Sequence, residues 1–358
     1  VDVQLNITAH EEFKKAIRVW LSSDNPPDVF SWFAGNRAKY FVEKGLIMEI
    51  TDVWEEENLY EKFPEAFQSI SVFDDEAYFL PHSYYWYSMF YRESIFEEYD
   101  LEEPETWDEL IEVCETLKDN GVTPFAIGTK FRWTAAAWFD YLNMRINGHQ
   151  FHMDVMNAEV PFTDDRIAEV FKKWKYLIEN DYFVENAAAY SWQEGLKFMT
   201  QGDAAMYLMG QFILDAASED LANDLNFFRF PIMNEDVSVA EDLPTDGFMI
   251  PANTNNPELA KDFIAFLGSV AGQQVFAEDM GRLVPNKDVS SDIYTERANK
   301  GREMIDNTDK LAQFYDRDMN PELADKTMDS LMKFWNNPDN YRQVMEEMEK
   351  QRQQFLED

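Results

Sequence analysis

A single cysteine, Cys114, stands among 358 residues, so no internal disulfide closes a loop of this sequence. It lies in WDELIEVCETLKDNG, one turn beyond Leu110 and three residues before Leu117, which makes an inert buried thiol the expected state. The count does not fix the compartment, because exported bacterial proteins without disulfides are common. No run of about 18 apolar residues occurs, so nothing has the length of a membrane-spanning helix. Familiar catalytic signatures are missing too: no Gly-x-Ser-x-Gly elbow, no glycine-rich phosphate loop and no His-Glu-x-x-His. Histidines number four. His149 and His152 have helix-like spacing, but no cysteine or third histidine lies close by, which argues against zinc. No metal and no cofactor is expected.

Positive charge is also scarce. Lys and Arg total 31 against 69 Asp and Glu, a formal net charge of -38. Such a surface repels phosphates and anionic lipid head groups, which excludes nucleic acid as a partner. Self-repulsion works against compaction at low salt. Near molar salt the Debye length shrinks to about 3 Å, so the composition suits a saline medium. The stretch DRDMNPELADKT, from Asp316, mimics the opening of a calcium loop. Pro321 takes the place of the required glycine and Thr327 that of the bidentate glutamate, which argues against calcium.

Hydrophobic residues supply 45% of the chain, ample for a core, and its length suits two lobes. Residues 1–7 alternate like a strand; 9–21 place Phe13, Ile17, Trp20 and Leu21 on one helical face; Asp28–Phe33 reads as a buried strand. This β–α–β order implies parallel pairing in an α/β lobe. Further strands are expected at LIMEI (46–50), AYFLP (77–81), TPFAIG (123–128), FFRFPIM (227–233) and GFMIP (247–251). The aromatic run 83–92 ends in a helix-like stretch. Thr106 and Glu109 form a capping box before a helix closed by Asn120-Gly121. Residues 133–222 read as mostly helical. Asn256 and Pro257 suit the first positions of a helix, and 321–358 are helical to the end.

Four segments, in order and spacing, resemble the family 1 extracellular solute-binding proteins of ABC transporters, the maltose- and oligosaccharide-binding type. They are PPDVFSWFAGN (26–36), residues 77–128 around SYYWYSMFYR and PETWDEL, FMTQGDAAMYLMGQF (198–212), and FFRFPIM followed by residues 246–278. The resemblance implies an α/β, two-lobed periplasmic-binding-protein-like fold with interleaved lobes and a ligand cleft between them. One lobe is expected from residues 1–100 plus 248–295, the other from 101–247 plus 296–358, with crossings near 97–103, 244–250 and 285–300. Such proteins usually carry a further N-terminal strand and a ligand-contacting loop before the segment with which this sequence opens; either the sequence is trimmed there or the element is absent. The implied function is an extracytoplasmic carbohydrate receptor, not an enzyme, delivering a mono- or oligosaccharide to a membrane permease. It would act as a monomer, either periplasmic or as a cell-surface lipoprotein. The competing reading is a secreted glycoside-active enzyme, but with 69 acidic residues a suitable carboxylate pair is uninformative.

A sugar offers apolar C–H faces and a rim of hydroxyls, so its site needs flat aromatic platforms and planar hydrogen-bonding groups. Beside the family-like segments the candidates are Trp32, Asn36 and Arg37; His82, Tyr84, Tyr85 and Trp86; Trp133 and Asp140; Trp192; Phe212; Asp246; and Arg282. Trp32 and Trp133, read as loop residues directly after strands, are the expected platforms. Trp107, Trp138 and Trp174 are expected in the core.

Overall fold

The structure is a computed structural model and describes residues 3–357. The chain divides into two compact units. The first comprises the chain to Tyr84 with Pro244–Lys300; the second comprises Tyr85–Leu243 and the chain from Gly301 onward. The chain thus passes between units at 84/85, 243/244 and 300/301. The first passage precedes the expected 97–103 because residues 87–92 form a strand, not a helix, and that strand is built into the second unit's sheet.

Eleven strands occur among the described residues: β1 Phe30–Phe33, β2 Val72–Phe73, β3 Glu76–Ala77, β4 Leu80–Tyr84, β5 Tyr87–Arg92, β6 Thr123–Phe125, β7 Ala204–Gly210, β8 Leu225–Phe228, β9 Ala240–Asp242, β10 Thr245–Met249 and β11 Lys310–Ala312.

In the first unit the sheet order is β1-β10-β4 and both pairings are antiparallel, not the parallel arrangement that the β–α–β order implied. β1 takes as its neighbour β10, which arrives from far along the chain. The strand expected at 1–7 is not formed over residues 3–7, and residues 1–2 lie outside the described residues. Alternation makes a strand only where an edge pairs with it, and here Leu5 and Ile7 stay exposed. LIMEI contributes one isolated bridge, Ile47 to Pro251. Helix His10–Trp20 buries Ile17 in a cluster with Phe30, Trp32, Phe41, Phe79 and Met249.

In the second unit the order is β6-β7-β5-β8, with β5 antiparallel to both neighbours and β6 parallel to β7. β7, AAMYLMG, is buried at every position and lies within the stretch read as helical. A strand covered on both faces has no polar alternation, so its pattern does not separate it from a buried helix. Helix Trp133–Asn147 is buried from Thr134 through Arg145. Trp107, Trp138 and Trp174 are core residues, as expected. The capping box is present: Thr106 Oγ1 accepts from the Glu109 amide and the Glu109 carboxylate accepts from the Thr106 amide. Cys114 is buried, which pushes its thiol pKa up. Pro257 opens its helix, although Asn256 makes no side-chain cap there. The C-terminal stretch is two helices, Pro321–Asn336 and Tyr341–Glu357. Among the described residues no helix is long and apolar enough to cross a membrane.

Candidate functional site

Four of the expected residues meet in the second unit, at the ends of β5 and β7. β7 stops at Gly210, and the turn that follows carries Phe212. Its ring stands edge-on to Tyr85 at 5.3 Å, to Trp192 at 5.1 Å and to Trp133 at 6.2 Å. Gly210 makes this packing possible, because a Cβ there would lie 2.5 Å from Phe212 Cε1 and 3.1 Å from Tyr85 Cε2. Trp133 and Trp192 each open a helix, Trp192 behind a Ser191–Glu194 capping box. Trp133 is therefore a helix-start residue, not a loop residue. It, Trp192 and Phe212 are half-buried. The Trp133 Nε1 is buried and has no hydrogen-bond acceptor among the described residues. A buried indole N–H normally has a partner; Trp54, Trp86 and Trp174 also lack one among the described residues, and Trp133 differs from them in being half-buried beside Trp192 and Phe212.

The polar groups beside these rings come from a segment that the sequence marked only as a failed calcium loop. Arg317 Nη2 donates to Tyr85 Oη at 3.0 Å, and its guanidinium lies 5.3 Å from the Phe314 ring, itself 6.1 Å from Trp133. Asp316, Arg317 and Asp318 are all buried. Three charged residues in succession read as a solvated turn; the available signal was their position directly after the aromatic pair Phe314-Tyr315.

Three expected residues meet in the first unit, on β4, β10 and the turn after helix Val270–Met280. His82, on β4, stacks on Phe276 at 4.4 Å and lies 4.6 Å from Phe248. Burial lowers its pKa to about 4; Asp246 opposes that shift and Arg282 adds to it. Asp246 sits at an irregularity where β10 changes register against β4. Arg282 follows Gly281, whose φ of 59° ends the helix in the left-handed region. Tyr84 is half-buried beside Phe67 at 5.0 Å and donates its amide to the Leu283 carbonyl. Asn36 and Arg37 open helix Asn36–Glu43, half-buried, with Arg37 5.4 Å from the Phe33 ring.

Three candidates belong elsewhere. Trp32 lies within β1, not after it, and the pleat turns it inward with Phe30. It is 5% exposed, ringed by Phe13, Phe33 and Phe41, and its Nε1 donates to the Arg37 carbonyl at 3.1 Å. Trp86 is fully buried against Phe227 and Gly301. Asp140 is fully buried; its Oδ2 accepts from the Tyr315 amide at 2.8 Å, and burial pushes its carboxyl well above the usual range. The two histidines weighed for zinc are engaged separately. His149 Nε2 lies 2.9 Å from the Leu311 carbonyl and His152 Nδ1 3.2 Å from Asn143 Nδ2. No cluster of metal-binding side chains occurs among the described residues.

The family model described as bacterial extracellular solute-binding protein matches residues 1–274. An ABC transporter extracellular-binding protein of Pyrococcus horikoshii is 27% identical over 78% of this chain, but the match spans only 63% of that relative's length. The alpha-glucosides-binding periplasmic protein AglE of Rhizobium meliloti is 23% identical over 82% of this chain and 68% of its own. Among solved structures, the bacterial solute receptor AcbH, described as having an exclusive preference for β-D-galactopyranose, is 29% identical. It superimposes with a TM-score of 0.94 over 98% of this chain and 90% of AcbH. A maltose-bound MalE3 of T. maritima shares the fold at a TM-score of 0.78 and 16% identity, over 97% of this chain and 89% of its own.

Proposed function

The chain belongs to the bacterial extracellular solute-binding protein family, and we propose that it serves there as a carbohydrate receptor that hands its ligand to the membrane permease of an ABC importer. The observation that carries this reading is the group Trp133, Trp192 and Phe212, half-buried together, with the buried Trp133 Nε1 lacking an acceptor among the described residues. Aromatic faces take the C–H surface of a pyranose, and an indole N–H takes a hydroxyl oxygen. Tyr85, held by Arg317, adds a hydroxyl beside them. The function is binding and release without a reaction. The protein works outside the cytoplasm as a monomer, and its acidity suits a saline medium.

Calorimetric titration with D-galactose, maltose and chitobiose tests this. At least one sugar should give a saturable heat and be recovered unchanged after incubation. Trp133→Ala should weaken that binding by about 2 kcal/mol, roughly thirtyfold in Kd, the loss of one buried aromatic anchor. No heat with any of the three, or undiminished binding by the variant, would count against the reading.

A further inference from the structure

Close to the aromatic face lies a group of carboxyls that sugar recognition does not use. Asp140 is on helix Trp133–Asn147, Asp242 ends β9 and Asp318 ends the short helix Tyr315–Asp318. Asp140 and Asp242 are wholly buried, and Asp318 nearly so. Neither carboxyl oxygen of Asp242 accepts a hydrogen bond from a described residue, and Asp140 Oδ1 accepts none either. A carboxylate removed from water without donors is strongly disfavoured against its protonated form. Burial, reinforced by the mutual repulsion of these acids, holds Asp140 and Asp242 well above the usual carboxylate range; burial pushes Asp318 up to about 7.

The groups facing them do not reverse this. On the Asp140 helix stand Tyr141 and Arg145, and the Arg145 guanidinium is committed to Glu241 and to the Phe230 and Ala240 carbonyls. Glu241 adds negative charge beside Asp242, and Tyr87 on β5 stays neutral. From helix His149–Met156, His152 Nε2 lies 3.9 Å from Asp140 Oδ1, with His149 acting on it in turn. That distance suggests an ion pair, yet burial lowers His152 to about 3, so two neutral groups meet. Asp316 adds further repulsion on Asp140, and Arg317 lowers Asp318 without cancelling the effect of burial.

These acids also hold one segment in place. Asp140 Oδ2 accepts from the Tyr315 amide at 2.8 Å and Asp318 Oδ2 from the Gln313 amide at 2.7 Å. Gln313 Nε2 donates to the carbonyl of Leu243, the residue after Asp242, at 2.7 Å. The same segment reaches the aromatic face through Arg317 to Tyr85 and through Phe314 to Trp133. We propose that Gln313–Asp318 is a proton-held strap: with the Asp140–Asp242–Asp318 group protonated it seats Tyr85 and Trp133 for the ligand, and loss of a proton loosens it and weakens binding. This rests on the carbohydrate reading of that face. In the loosened state these carboxyls regain ordinary values near 3.9, so rising pH favours loosening. For Asp318 the effect begins above about 4 and is complete once the pH passes about 7.

Hydrogen exchange of the Gln313 and Tyr315 amides, corrected for the intrinsic pH dependence, reads the strap directly, and D-galactose titration at pH 6 and pH 8 reads the coupling. Exchange should accelerate as pH rises from about 4 and level off above about 7, and Asp242→Asn, which removes one acid at the same shape, should weaken that acceleration. For one proton with a pKa of about 7, the galactose Kd should rise about tenfold between the two pH values. Exchange independent of pH, or identical in wild type and variant, would overturn the strap; equal affinity at both pH values would overturn the coupling. Absence of galactose binding at either pH, with pH-dependent exchange intact, would count against galactose recognition at that face and leave the strap supported.

Discussion

Trp32→Ala distinguishes core from binding face at the residue where sequence and structure disagree most. The indole is 5% exposed, lies against Phe13, Phe30, Phe33 and Phe41, and donates to the Arg37 carbonyl. Truncating a buried tryptophan to alanine costs about 3–5 kcal/mol through lost transfer energy and the cavity left behind. The carbonyl that loses its donor adds about 1 kcal/mol. For a unit of this size a kcal/mol moves the melting temperature by about 2–4 °C, so the variant should melt roughly 10 °C or more below wild type. Trp133→Ala removes a half-buried ring whose N–H has no acceptor among the described residues, so it should cost clearly less stability and more affinity. Thermal unfolding followed by circular dichroism without ligand, paired with sugar calorimetry well below both transitions, separates the two. A Trp32→Ala protein that melts within about 2 °C of wild type while losing tenfold or more in affinity would refute the core assignment.

Two further outcomes follow from charge. With a formal net charge of -38, the melting temperature should rise as sodium chloride goes from millimolar to near molar, because screening relieves self-repulsion; a flat or falling curve would show that the acidic residues are already balanced locally. His152 stays neutral in the fold down to about pH 3 but charges near pH 6.5 when unfolded, so below pH 6.5 the unfolded chain binds one more proton and this group erodes stability as pH falls. His152→Gln should therefore gain on wild type by about 1.4 kcal/mol per pH unit between 6.5 and 4 in urea titrations, and a constant difference would refute the sign.

Local signals in the sequence read well where one rule acts alone. The Thr106–Glu109 box, Pro257 at a helix start and the buried Cys114 each follow from chemistry within a few residues. Strands read poorly where tertiary partners decide. Residues 3–7 alternate without gaining a partner, while β7 has no alternation because the sheet is covered on both faces. The run 83–92 shows the same limit, since nothing local marks where β4 ends and β5 begins, and the passage between units falls there, at 84/85.

For the site, residue type proved a better guide than local position. Trp32 reads as a residue following a strand, yet the pleat of β1 sends it inward beside Phe30. Trp133 and Trp192 reach the aromatic group by opening helices, where the first turn leaves one side of a large ring uncovered. What joins them is Phe212, and that depends on Gly210, whose missing Cβ is a three-dimensional requirement that no spacing expresses. The buried charges were the least legible. Asp316, Arg317 and Asp318 look like solvated surface, because burying charge is costly and rarely the first expectation. Here Asp318 is met by the Gln313 amide, Arg317 by Tyr85 and Asp140 by the Tyr315 amide, while Asp242 has no donor among the described residues. An acid so placed persists by keeping its proton, so the feature hardest to read in the sequence is the one that gives the second unit a dependence on pH.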